Sequence, residues 1–161
     1  MALGYRITIT DSKGGEIVLS SMKADLTGKE DIISASYKSN TLNDDSMARS
    51  NDVRAEIKII GRITKENIKN TCELAKWSNE TNTDLLYRKV KLTVYTSTDS
   101  SIILRNYEIS EMFVLDYEEA FDIPADGTPE SIEVKKENDN GIFAMYLAQK
   151  SGNYDLFIET E

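Results

Sequence analysis

The amino-acid sequence predicts a mainly β domain, a barrel or sandwich of antiparallel strands flanked by one α-helix. Two stretches carry most of that expectation. From Val53 to Ile63, Val53, Ala55, Ile57, Ile59, Gly61 and Ile63 alternate with Arg54, Glu56, Lys58 and Arg62. This is the period of two that a half-buried strand requires, because successive side chains leave opposite faces. From Leu85 to Phe121 the alternation runs longer. Val90, Leu92 and Val94 oppose Lys89, Lys91 and Thr93, while Ile103, Tyr107, Ile109, Phe113, Leu115 and Tyr117 oppose Glu108, Ser110 and Asp116. The link Ser97-Thr98-Asp99-Ser100 is short enough for a hairpin. The region reads as one long antiparallel pair.

The other elements follow in chain order. Tyr5 to Thr10 alternates, breaks at Asp11-Ser12-Lys13-Gly14-Gly15 and resumes from Glu16 to Ser20, which predicts an opening hairpin. Ser21 to Glu30 reads as a loop, and Ile32 to Ser39 as a strand with Ile33, Ala35 and Tyr37 inward. Asn40 to Asn51 (NTLNDDSMARSN) is polar, aperiodic and rich in turn formers. Thr64 is placed to cap a helix over about Lys65 to Trp77, in which Ile68, Cys72 and Ala75 recur at helical spacing. Ser78 to Asp84 reads as a loop. Both prolines fall in Asp122 to Pro129, so 122–130 is the expected break before a C-terminal section. That section reads as strands at Ser131–Lys136 and Ile142–Gln149, turned at Glu137–Gly141, and a short strand at Tyr154–Glu159. Nothing in 1–161 separates domains, so a single domain is the economical reading.

Composition narrows the function classes. The chain is acidic, with a formal net charge of -9, which argues against gripping nucleic acid or an anionic membrane surface through a basic face. No apolar run approaches the roughly 20 residues of a membrane helix. The start of the chain enters strand-like alternation at once, so synthesis in the cytoplasm is expected. Histidine is absent and Cys72 is the single cysteine. That combination removes Ser-His-Asp and Cys-His catalysis and the His- and Cys-based zinc sites. It also fits a reducing compartment.

The remaining candidates for chemistry are each weaker than their structural reading. Asp44 and Asp45 lie near Asn43 and Ser46, but without the alternating carboxylates and terminal glutamate of a calcium loop. Asp25-Leu26-Thr27-Gly28 has the wrong residue after its aspartate for an aspartic protease and no second copy to complete a carboxylate pair. Glu118 and Glu119 are adjacent, so on a strand they face opposite ways. Cys72, at helical spacing with Ile68 and Ala75, reads as a small buried apolar side chain. Gly14-Gly15 belongs to a tight turn. No catalytic residue, cofactor site or metal site is predicted.

The order of elements from Asp31 to Phe121 resembles a known family. A strand (DIISASYKS) leads through a polar excursion (NTLNDDSMARSN) to a long alternating strand (DVRAEIKIIGRI), then one helix (KENIKNTCELAKW), then two long strands. This resembles the inner-tube proteins of contractile injection systems: the Hcp-type tube protein of type VI secretion and the phage tail-tube proteins. The resemblance implies a small barrel or sandwich, rings of about six copies and head-to-tail stacking into a hollow tube. It implies that the polar excursion contributes contacts between subunits and rings. Its candidate interface residues are Asn40, Leu42, Asn43, Asp44, Asp45, Met47, Arg49 and Asn51. Sheath, baseplate or cargo proteins would be the further partners, with no sequence-specific nucleic-acid binding and no membrane insertion. Assembly into a phage-like particle, or export without a signal peptide, would follow synthesis. Two other readings stay open. One is a monomeric or dimeric binding module with a patch near Tyr95, Tyr107 or Tyr146. The other is a hydrolase using carboxylates such as Asp44, Asp45 and Glu111.

Overall fold

A computed structural model describes residues 3–23, 30–41, 53–99, 102–121 and 141–160. Residues 24–29 of the expected loop, the break at 122–130 and the strand at 131–136 lie outside these. The described chain forms strands β1 (Gly4–Thr10), β2 (Glu16–Ser20), β3 (Ile32–Thr41), β4 (Val53–Ile63), β5 (Arg88–Tyr95), β6 (Ile103–Phe121), β7 (Gly141–Gln149) and β8 (Leu156–Glu159). Helices α1 (Ile68–Ser78) and α2 (Thr83–Leu86) lie between β4 and β5. All strand pairs are antiparallel, and they build one sheet in the order β2-β1-β5-β6-β7-β4-β3, with β8 added to β6. The mainly β class is therefore as the sequence predicts.

The sheet is curled. Tyr37 on β3 and Tyr107 on β6 stand three strands apart in the ladder order, a distance of about 14 Å in a flat sheet. Their rings stack at 4.7 Å between centroids. Curling gathers Ile7, Ile9, Leu19, Ile57, Ile59, Leu92, Ile109, Met145 and Leu147 into one core. Strand β7, GIFAMYLAQ, lies between β4 and β6 and is buried or half-buried at every position. Its near-continuous apolar run suits a strand covered on both faces.

A polar clasp joins the two ends of that sheet. Asp31, at the start of β3, is buried. Its backbone N–H donates to the Ser20 carbonyl at 3.0 Å and its carbonyl accepts from Arg62 N–H at 2.9 Å. One carboxyl oxygen accepts from the Ser20 amide at 3.0 Å, and the other from Asn67 Nδ2 at 2.8 Å. Asn67, also buried, donates to the Arg62 carbonyl and exchanges bonds with Thr64, whose N–H reaches Asn67 Oδ1 at 2.8 Å. The Thr64 hydroxyl in turn accepts from Asn67 N–H at 3.3 Å, a reciprocal cap of the kind its position suggests. Gly61 makes the close approach possible, since a Cβ there would meet the Asp31 carbonyl oxygen and the Phe143 ring.

The helix corrects the sequence reading in extent and phase. Residues 65–67 form a turn and α1 begins at Ile68, running to Ser78. Its buried face is Thr71, Leu74 and Trp77. Ile68 is 55% exposed, and Cys72, expected to be buried, is exposed. The phase is set by polar anchors that a hydrophobic pattern ignores. Thr71 is buried because its hydroxyl donates to the Asn67 carbonyl at 3.0 Å. Trp77 donates its indole N–H to the Leu86 carbonyl at 2.8 Å, beneath the Arg88 guanidinium. The segment expected as a loop after α1 runs into α2, which continues to Leu86 where a strand was expected and whose first turn is capped by Asn82 accepting from Asp84 N–H at 3.0 Å.

Strand β6 departs from simple alternation three times: Leu104 is an extra residue between the pairs Val94–Arg105 and Tyr95–Ile103, and two further bulges, the first of them at Ser110–Glu111, redirect its core face. Arg88 pairs with Met112 while Val90 pairs with Ile109, which leaves one extra residue in β6 at Ser110–Glu111. Glu111 takes φ 50, uncommon for a non-glycine residue. The other extra residue, Leu115, falls between the pairs Val114–Leu147 and Asp116–Tyr146. Each of these two insertions flips the parity. Met112 and Val114 therefore pack on the core where Phe113 and Leu115 were expected, and Tyr117 restores the original phase. The bulge at Ser110–Glu111 is tied down by β7 and the turn after it. Gln149 Nε2 donates to the carbonyls of Ser110 and Asp155, Lys150 N–H to the Glu111 carbonyl at 2.8 Å, and Asn153 Nδ2 to the Glu111 carboxylate at 2.6 Å.

Two predictions test this account. Asn67→Ala removes the partners of Asp31, Arg62 and Thr64 together and is expected to cost about 3 kcal/mol in urea unfolding. Gly61→Ala is expected to cost about 1–3 kcal/mol through overpacking alone. Burial raises the pKa of Tyr5, Tyr37 and Tyr117 above the ordinary 10.0, assisted at Tyr37 by Tyr107 and at Tyr117 by the hydrogen bond to Glu119. The folded chain then holds protons that the unfolded chain releases. Stability is unaffected below pH 10.0 and falls as pH rises beyond it. Thermal melts across that range should show the fall, and Tyr117→Phe should make it shallower.

Candidate oligomer interface

The expected interface segment grows from a rigid foot. The β3–β4 ladder runs out to the Thr41–Val53 pair, so the chain leaves and re-enters the sheet at directly opposed positions. Of the candidate residues, the structure describes Asn40. Leu42, Asn43, Asp44, Asp45, Met47, Arg49 and Asn51 lie outside the described residues. Asn40 is a strand residue, which corrects the expected loop start by two positions. It pairs with Arg54, and its amide donates to the Glu56 carboxylate at 3.1 Å. Arg54 Nη2 lies 3.4 Å from the same carboxylate. Arg54 Nε is buried without a hydrogen-bond partner among the described residues. Beside these groups runs the outer edge of β3, the terminal strand of the sheet order.

A second open surface lies at β8, and sequence reasoning gave it no interface role. Phe157 is 52% exposed and Ile158 44%, with Tyr154, Ile102 and Leu104 also exposed. β8 pairs with Asn106–Ile109 of β6, and no described strand covers its other side. The signal was present. Phe157 and Ile158 are adjacent, so on a strand one of them must leave the core.

The other candidates stay apart. Glu118 and Glu119 are both exposed, opposite Ala144 and Phe143 respectively, and Glu119 accepts the Tyr117 hydroxyl at 2.6 Å. Glu111 is bound to Asn153 and lies 3.7 Å from Lys150 Nζ. Tyr95 accepts from Arg6, Tyr107 stacks on Tyr37, and Tyr146 lies under the Lys58 ammonium, so these tyrosines form no common patch. Gly14 has φ +86 in the β1–β2 turn, where Asp11 accepts the amides of Lys13 and Gly15 at 2.8 Å. Desolvation raises the Asp11 pKa, but these two bonds and the charges of Arg88 and Lys13 outweigh it and hold the carboxyl below its ordinary value. No described group of three or more acidic or cysteine side chains is arranged to hold a metal ion. No helix among the described residues is long and apolar enough to cross a membrane.

No protein-family model and no curated protein matches the chain. Solved structures do match it in fold. A mutated Hcp1 protein from the E. coli EAEC 042 pathovar aligns with a TM-score of 0.54 at 10% identity, covering 98% of this chain and 98% of that one. The crystal structure of an Hcp protein aligns with a TM-score of 0.54 at 10% identity, over 99% and 98% of the two chains. Hcp1 from Flavobacterium johnsoniae is 16% identical over 96% and 99%, with a TM-score of 0.47. The chain has the fold of Hcp proteins, end to end.

Proposed function

We propose that this chain is a structural subunit that assembles with copies of itself into a ring and a stacked tube, within a phage-tail-like or type VI-like contractile injection apparatus. The observation that carries the proposal is the shared fold with two Hcp proteins over nearly the full length of each chain. The reading is supported by the edges of β3 and β8 that no strand among the described residues covers, since such edges invite pairing with another copy. It is supported also by the exposed Phe157–Ile158 pair and by the orphaned Arg54 Nε beside the expected interface segment. A heterologous contact between two different edges closes into a ring when its rotation divides a full turn, and about six copies are proposed. Residues 40–51 would contribute contacts between subunits and between rings. Sheath, baseplate or cargo proteins would be its further partners, and no catalytic role is assigned to the chain.

Light scattering after size exclusion, over a concentration series and with negative-stain images of the same fractions, tests the reading. Rings of about six copies or short stacked tubes are expected. A monomer at every concentration would overturn self-assembly. Phe157→Asp combined with Ile158→Asp should shift the population toward monomer while leaving the circular-dichroism spectrum unchanged.

A further inference from the structure

β6 has two unequal halves. Ile103 to Met112 is flanked by β5, and Arg88–Met112 is the last pair of that ladder. From Phe113 to Phe121 the strand pairs with β7 on one side, and no described strand pairs with its other edge. Helix α1 stands beside that edge. Ala75, Ser78 and Asn79 of the helix end, together with Val114 to Glu119, line a groove of about 440 Å³. The polar helix groups do not reach across it. Ser78 Oγ and Asn79 Nδ2 both turn back to the Ala75 carbonyl, at 2.6 and 3.3 Å. The backbone donors and acceptors along this edge of β6 thus have no described protein partner, and such groups demand one wherever water is displaced.

An extended peptide supplies those partners. A strand edge facing a helix across a groove is the geometry of strand addition, in which main-chain bonds give affinity and alternate side chains give specificity. Charge then selects the occupant. The lining includes Asp116, Glu118 and Glu119 and no lysine or arginine. Asp116 and Glu118 pair with Tyr146 and Ala144 and so project from one face of the strand. The other parity offers the half-buried Tyr117 ring, with Leu115 47% exposed at the bulge. We infer that this groove binds an extended segment of another protein in which basic and apolar residues alternate, adding to β6 as a strand. The chain's net charge of -9 would draw such a segment in at long range. The inference goes beyond the tube role and does not depend on it.

The test uses the full chain and a blocked pentapeptide alternating lysine and valine. Controls are the glutamate–valine peptide and a lysine–valine peptide with alternate backbone nitrogens methylated. Hydrogen–deuterium exchange should slow across 113–121 with the first peptide and with neither control. Calorimetry should show binding that weakens with salt, and weakens roughly fivefold to tenfold in the Asp116→Asn, Glu118→Gln double variant. Both substituted side chains are exposed, so the fold is retained. Equal protection by the glutamate peptide, or full binding of the methylated peptide, would overturn the inference. So would an edge already protected in the absence of peptide, because a second copy or another part of this chain would then fill the groove.

Discussion

Asp31 is the point on which the closed shape depends. The sheet order leaves β2 and β3 at opposite ends, and a flat sheet would hold them about 29 Å apart. One residue ties both to the end of β4 and to the approach of the helix, using its backbone N–H, its carbonyl and both carboxyl oxygens. A buried carboxyl group is costly unless its oxygens are matched. Here they are matched by a backbone amide and by Asn67, which is itself satisfied on every side by Thr64, Arg62 and Thr71. The clasp therefore acts as a unit. It brings the sheet ends together and sets the angle at which α1 leaves β4.

β6 makes the second set of decisions. At 19 residues it is far longer than β5, and its bulges let one strand serve two environments. Before Glu111 it pairs with β5, and over Asn106–Ile109 with β8 as well; after Met112 its partner among the described strands is β7. The strained φ of Glu111 is held in place by groups from the far end of the chain: Gln149, Lys150 and Asn153. The same turn delivers β8 to the strand, so the bulge and the apolar β8 edge are products of one local arrangement.

Much of this was legible in the residues. Alternation located β1 to β6 to within a few positions, and the turn chemistry at Asp11–Gly15 was as expected, whereas Thr64 caps the turn at 65–67 and the N-cap of α1 is Asn67. The misses share a physical cause: periodicity reports spacing, while polar anchors fix phase. In α1 the spacing was correct, yet Thr71 and Asn67, which a hydrophobic pattern discounts, turned Cys72 and Ile68 outward. In β6 the single extra residue at each of the two later bulges moved the core set from Tyr107 and Ile109 to Met112 and Val114 and back to Tyr117. No local signal marks the insertion at Ser110–Glu111, because the bonds that hold it come from Gln149 and Asn153, some forty residues onward. Of the candidate interface, the adjacent apolar pair at β8 was present in the residues though given no role there, whereas the strand position of Asn40 was hidden by a polar, turn-rich run that reads as a loop. The orphaned Arg54 nitrogen could not be read from sequence, since it is a fact about neighbours in space.

The position of β7 bears on how the chain reaches this state. The strand most deeply enclosed, between β4 and β6, follows both of its partners in chain order. Without it, the ladder divides into two parts, β2-β1-β5-β6 and β4-β3. Each part carries an unpaired edge where β7 will later sit, joined only through contacts of long sequence separation, which form slowly. Those two edges are open to any neighbouring chain until β7 is in place, as exposed edges generally are. The strand that completes the sheet is thus also the one that removes both of these edges from reach of a neighbouring chain.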